Sequence, residues 1–101
     1  MPKITKTFTH NLGKDEAVRR LRERISTEKI SKSNVATVTK EVWTDPYNLD
    51  FAMSVLTYRI DGALHIDDSE VKLELNLPFG AMMFKGMVES QIGQQMELML
   101  N

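Results

Sequence analysis

The 101 residues contain no cysteine, which excludes disulfides and thiolate chemistry and fits a reducing compartment. No apolar run approaches the ~20 residues that a membrane-spanning helix needs. The opening "MPKITKTFTH" is broken by lysines and threonines, unlike a signal segment. The expectation is therefore a cytoplasmic protein with no transmembrane segment. Neither sign of charge dominates: 13 Lys and Arg stand against 14 Asp and Glu, for a net charge of −1. That balance gives no overall pull toward nucleic acid or an anionic membrane, and nucleic acid is not expected as a partner. Internal repeats, low-complexity tracts and linkers are absent as well, so residues 1–101 read as a single domain. A chain of this length buries only ~60–65% of its unfolded surface, which leaves little room for a large internal cavity.

What is present is a run of short periodic segments. "KITKTFT", Lys3 to Thr9, alternates and is rich in β-formers, which predicts a first strand. A helix follows from Lys14 to Lys29, with Ala17, Val18, Leu21 and Ile25 on one face and Asp15 and Glu16 in the acid-favouring first turn. Ser31 to Asn34 is a polar connector. Val35 to Trp43 reads as a second strand, Thr44 to Asn48 as a turn around Pro46, and Phe51 to Ile60 as a third strand. The third segment has apolar residues at both parities: Phe51, Met53 and Val55, then Leu56, Tyr58 and Ile60. That suggests a central strand covered on both sides. Asp61-Gly62 is a strong hairpin dipeptide and sets off "ALHI" as a short fourth strand. Asp67 to Ser69 turns again. "EVKLELNL" then alternates cleanly, with Val71, Leu73, Leu75 and Leu77 facing one way. The expectation is an α+β fold: a single antiparallel sheet in the order β-α-β-β-β-β-α, with the C-terminal helix packed on the sheet.

That last helix should begin near Ala81 or Met82, after the Pro78-Phe79-Gly80 break. Phe84, Val88, Ile92, Met96 and Met99 fall on one stripe, and Met83, Met87 and Leu98 widen it to an arc of roughly 220°. Gln91, Gln94 and Gln95 lie in or beside the arc and must reach water or a hydrogen-bond partner. Gly86 and Gly93, on the other side, hint at close approach by a second backbone. Such a helix can be core, the seam of a homodimer, or a face that meets an apolar surface; methionine suits all three.

Little in the sequence points to catalysis. His10 and His65 are the only histidines, and neither sits in a metal-ligand pair or a nucleophile motif. "DDSE" lacks the spacing of a calcium loop and reads as a solvated turn. "RRLRER" is matched by acids on the same helix, which nets +2 from Lys14 to Lys29, so an ion-paired surface is expected. The expectation is no enzyme, no cofactor, no metal and no catalytic residue.

"THNLGKDEAVRR" and "IDGALHIDDSEVKLELNLPFGAMMFKGMVESQI" resemble the two halves of the putative polyhydroxyalkanoic acid system family. His10, Leu12 and Gly13 stand in its opening element, and Leu77-Pro78 and Phe84-Lys85-Gly86 in its closing one. The resemblance implies a link to bacterial polyester storage granules; joined to the wide apolar arc and the lack of a catalytic constellation, it gives the expectation of a non-enzymatic accessory protein that meets the granule through its C-terminal helix. It brings no catalytic motif; His10, Leu12 and Gly13 read as helix-entry structure. The element order also resembles a shortened helix-grip fold. That implies an alternative, a binder of an acyl or other apolar ligand between Val71, Leu73 and Leu75 and the helix residues Phe84, Val88 and Ile92.

Overall fold

The computed structural model describes residues 3–30, 36–55 and 57–100, with side chains outside 25–30, 36, 37 and 55. The connector at 31–34, Val35 and Leu56 fall outside the described residues, as does the side chain of Ile25. Five strands and two helices follow in the order the sequence predicts: β1 (Lys3–Thr9), α1 (Lys14–Ile30), β2 (Ala36–Asp45), β3 (Asn48–Val55), β4 (Tyr58–Ile66), β5 (Glu70–Asn76) and α2 (Lys85–Leu100). A 3-10 segment, Phe79–Phe84, leads into α2. All strands pair antiparallel in the order β1-β5-β4-β3-β2. The first strand thus lies beside the last, and the middle four form a meander.

Register sorts the residues by face. Leu75 pairs with Ile4 on one side and Gly62 on the other, and Leu73 pairs with Leu64. Val71, Leu73, Leu75 and Leu77 are at most 2% exposed. Each fully buried leucine contributes ~2 kcal/mol by removal from water. Ile60, Leu64 and Ile66 from β4 and Leu49 and Met53 from β3 join them, and Ala17, Val18 and Leu21 of α1 close the same cluster. Lys72, Glu74, Asp61, His65 and Asp50 alternate with these residues and so occupy the opposite, polar face.

The third strand needs correcting. It ends at Val55 rather than Ile60, and the chain turns between Val55 and Tyr58. The pairing Met53↔Ile60 puts both residues on the same face. The two parities in "FAMSVLTYRI" belong to two strands, not to two faces of one. Asp61-Gly62 accordingly lies inside β4 rather than in a turn. Gly62 has no positive φ; Gly13, at +79°, is the glycine that does. Gly62 is small for a different reason. It pairs with Phe51 and Leu75, and a Cβ there would stand 2.7 Å from Phe51 Cε1 and 2.9 Å from Leu75 Cδ2. The Phe51 ring fills the gap that the missing side chain leaves. The second strand also runs on to Asp45, and the turn narrows to Pro46 and Tyr47. Asp45 supports it by accepting from the Tyr47 N–H at 2.8 Å and from Asn48 Nδ2 at 2.7 Å.

Candidate functional site: the outer flank of the C-terminal helix

Pro78 ends the sheet register after Leu77, with φ −66° and ψ 155°. Its carbonyl accepts from the Ala81 N–H at 2.9 Å, which opens the 3-10 segment. Gly80 passes close to Tyr58, whose Cε1 would lie 2.8 Å from a Cβ at that position. The rings of Tyr58 and Phe84 meet at 6.0 Å between centroids. This packing fixes the segment against the start of β4 and aims α2 across the helical layer.

One side of α2 is core. Val88, Met96 and Leu100 are buried, while Ile92, Met87 and Met99 pack at the margin. Two arginines of α1 hold the end of α2. Arg20 donates from Nη1 to the Met99 carbonyl at 3.1 Å, and Arg24 donates from Nε to Gln95 Oε1 at 2.7 Å. A C-terminal carbonyl would otherwise need water or a cap. The predicted stripe Phe84, Val88, Ile92, Met96 and Met99 thus faces inward. Leu100 belongs with it; its place one turn beyond Met96 carried that signal.

The other side is uncovered. Met83 is 81% exposed, Phe79 79% and Leu98 71%. Gln91 and Gln94 are exposed beside them. The predicted wide arc therefore divides into a core half and an open half. Phe79 is missed by a sequence reading that takes "PFG" only as a breaker. The hint of a close backbone at Gly86 and Gly93 is corrected, because nothing lies within 4 Å of a Cβ built at either position.

Both histidines serve as struts. His10 is buried; its Nδ1 accepts from the Leu12 N–H at 3.2 Å, leaving Nε2–H to donate to the Asp67 carbonyl at 3.0 Å. Its own N–H bonds the Ser69 carbonyl at 2.9 Å. The Lys14 N–H meets Asp68 Oδ1 at 3.3 Å. The "DDSE" turn therefore receives the entry of α1 from a distance of more than fifty residues, and is more than a solvated loop. His65 is exposed, with Nδ1 2.5 Å from Asn48 Oδ1 and Nε2 3.2 Å from Asp67 Oδ1.

Ion pairs line α1 as its sequence suggests. Glu16 takes Arg19 at 2.7 Å and Arg20 at 2.9 Å, and Arg19 also reaches Glu23 at 3.1 Å. Arg22 stacks on Trp43 at 4.1 Å, while the indole N–H donates to Glu41 at 2.7 Å. Hydrogen bonds from Arg19 and then Arg20 hold the Glu16 carboxyl at about 2. The Tyr47 N–H and the Asn48 amide lower Asp45, and a bond to Asp15 raises the Tyr47 phenol. Each of these shifts moves its group away from neutrality, the reverse of what a general acid or base needs. Among the described residues no group of three His, Cys, Asp or Glu side chains is placed to hold a metal ion, and no helix is long and apolar enough to cross a membrane.

Of the residues expected to line a ligand pocket, Val71, Leu73, Leu75 and Val88 are at most 3% exposed, while Phe84 and Ile92 are half-buried. A depression of about 290 Å³ lies on the polar face, lined by Asn48, Asp50, His65, Lys72 and Glu74 among others.

No curated protein matches the sequence. Among solved structures, the crystal structure of TTHA0849 from Thermus thermophilus is similar, with a TM-score of 0.55 at 13% identity over 98% of this chain and 92% of that one. At that identity the likeness speaks to fold alone, and it agrees with the single sheet closed by a C-terminal helix. The family model described as "Putative polyhydroxyalkanoic acid system protein" matches residues 4–100, which take in the His10-Leu12-Gly13 entry, the strands and the whole C-terminal segment. On that match across nearly its full length, the chain belongs to the putative polyhydroxyalkanoic acid system family.

Proposed function

We propose that the protein is a non-enzymatic accessory factor of polyester storage that acts at the granule surface through the outer flank of its C-terminal segment. One observation carries the reading: among the described residues, Phe79, Met83 and Leu98 are the large apolar side chains most open to water. Exposed apolar groups gathered along one segment mark a contact face. The family supplies the setting, since its members are assigned to the polyhydroxyalkanoic acid system. The saturated bonding of both histidines and the direction of the pKa shifts support an accessory role over a catalytic one.

Cell fractionation tests it. In polymer-filled cells the protein should sediment with the granules. The double variant Met83→Ala/Leu98→Ala should shift to the soluble fraction. Removing ~1 kcal/mol of contact per side chain weakens binding by roughly tenfold or more in total. A wild-type protein that stays wholly soluble beside abundant polymer overturns the proposal.

A further inference from the structure

We infer that Gln91 and Gln94 make the outer flank selective for an ester-bearing surface over a plain hydrocarbon one, by donating their amide hydrogens to ester carbonyls. The inference rests on the granule reading above and goes further by naming the chemistry recognised.

The geometry is a stripe. At 100° and 1.5 Å per residue, Met87, Gln91, Gln94 and Leu98 lie within about 60° of one another and extend for ~16 Å along α2. Met83 stands in the turn just before, 81% exposed. No charged residue lies within the stripe; the nearest, Glu97, is about 60° beyond its Gln94 edge. Gln91 and Gln94 are exposed, and neither amide bonds another described residue. Gln95 behaves differently, because Arg24 engages its carbonyl oxygen. The stripe therefore offers apolar area interleaved with neutral hydrogen-bond donors.

An aliphatic polyester is the complement of that pattern. Its surface is apolar and uncharged, and its ester carbonyls accept hydrogen bonds while nothing on it donates. Each glutamine brings two N–H donors. On a hydrocarbon the same amides lose water without replacement, which costs free energy. An anionic bilayer fits badly: interfacial helices that bind one carry lysines or arginines on the flank. This stripe has none, and Glu97 beside it adds repulsion.

The experiment uses the full chain and two kinds of particle of equal area, amorphous poly-3-hydroxybutyrate and paraffin, with anionic phospholipid vesicles as a third surface. The probe variant is Gln91→Met/Gln94→Met, which keeps side-chain length and removes the donors. Wild type should favour polyester over paraffin. Because the added methionines gain apolar contact on both particles, the reading is the ratio: the variant's polyester-to-paraffin preference should fall roughly tenfold, as expected for two net hydrogen bonds. An unchanged polyester-to-paraffin ratio in the variant overturns the inference and leaves the granule reading standing. Wild-type binding to neither particle overturns the granule reading itself, and preference for the vesicles overturns both. A wild-type dimer in sedimentation that the variant dissolves also overturns the inference, because it assigns the stripe to a second copy of the chain.

Discussion

Gly13 holds φ at +79°, yet a Cβ there would meet nothing within 4 Å. Its requirement is one of backbone conformation alone, set where β1 gives way to α1. A non-glycine residue in that region costs ~1–2 kcal/mol, so Gly13→Ala should destabilise by about 1 kcal/mol, and Gly13→Asn by less. Gly93 is the reverse case. It lies inside α2 with ordinary helical backbone and open space around it, so Gly93→Ala should stabilise by ~1 kcal/mol through helix propensity. Urea unfolding of both variants reads the two signs directly. Gly62 differs again, since added volume there meets Phe51 and Leu75 inside the sheet. In the sequence these three glycines look alike. "LG" before a charged helix reads as helix entry, but φ and free space emerge only once the neighbouring strands are in place.

α1 shows what charge does at the scale of an element. Glu16 has its carboxyl lowered from the ordinary 4.5 to about 2, first by Arg19 and then by Arg20. A folded value below the unfolded one means that the contribution is present above about pH 4.5 and is lost as pH falls toward 2. The group is solvent-exposed, so the effect is screened and modest. The urea midpoint of wild type should therefore fall further between pH 6 and pH 3 than that of Glu16→Gln. Parallel curves would show that the Arg19 and Arg20 bonds do not hold in solution. This helix and β5 were legible in advance because their periods, 3.6 and 2, are clean and their ends carry turn residues. The β3–β4 hairpin was not. The sequence between Val55 and Tyr58 offers no glycine, proline or asparagine, whereas the strongest turn dipeptide, Asp61-Gly62, sits in mid-strand to make room for Phe51. The outer flank of α2 was half legible. The width of its apolar arc could be counted, but which half faces the sheet depends on the α1 arginines that grip Gln95 and Met99.

For the molecule as a whole, the two sides of α2 separate stability from contact. Met96 is 3% exposed and Leu98 71%. Met96→Ala should cost ~2–5 kcal/mol by opening a cavity, while Leu98→Gln should leave stability within about 0.5 kcal/mol of wild type. Thermal unfolding of the two variants, followed through the single Trp43 that Arg22 covers, would check the division; a large loss at Leu98 would place that side chain in the core. The pairing of β1 with β5 has its own consequence, and it concerns birth rather than binding. Lys3–Thr9 is synthesised before its partner Glu70–Asn76, which comes more than sixty residues later. At ordinary translation rates the nascent strand waits roughly three to thirteen seconds on the ribosome with Ile4 and Phe8 unsheltered. The hairpins of the meander can close as they emerge, so β1 is made before the other four strands yet is among the last of them to be placed, and a chaperone has that interval in which to hold it.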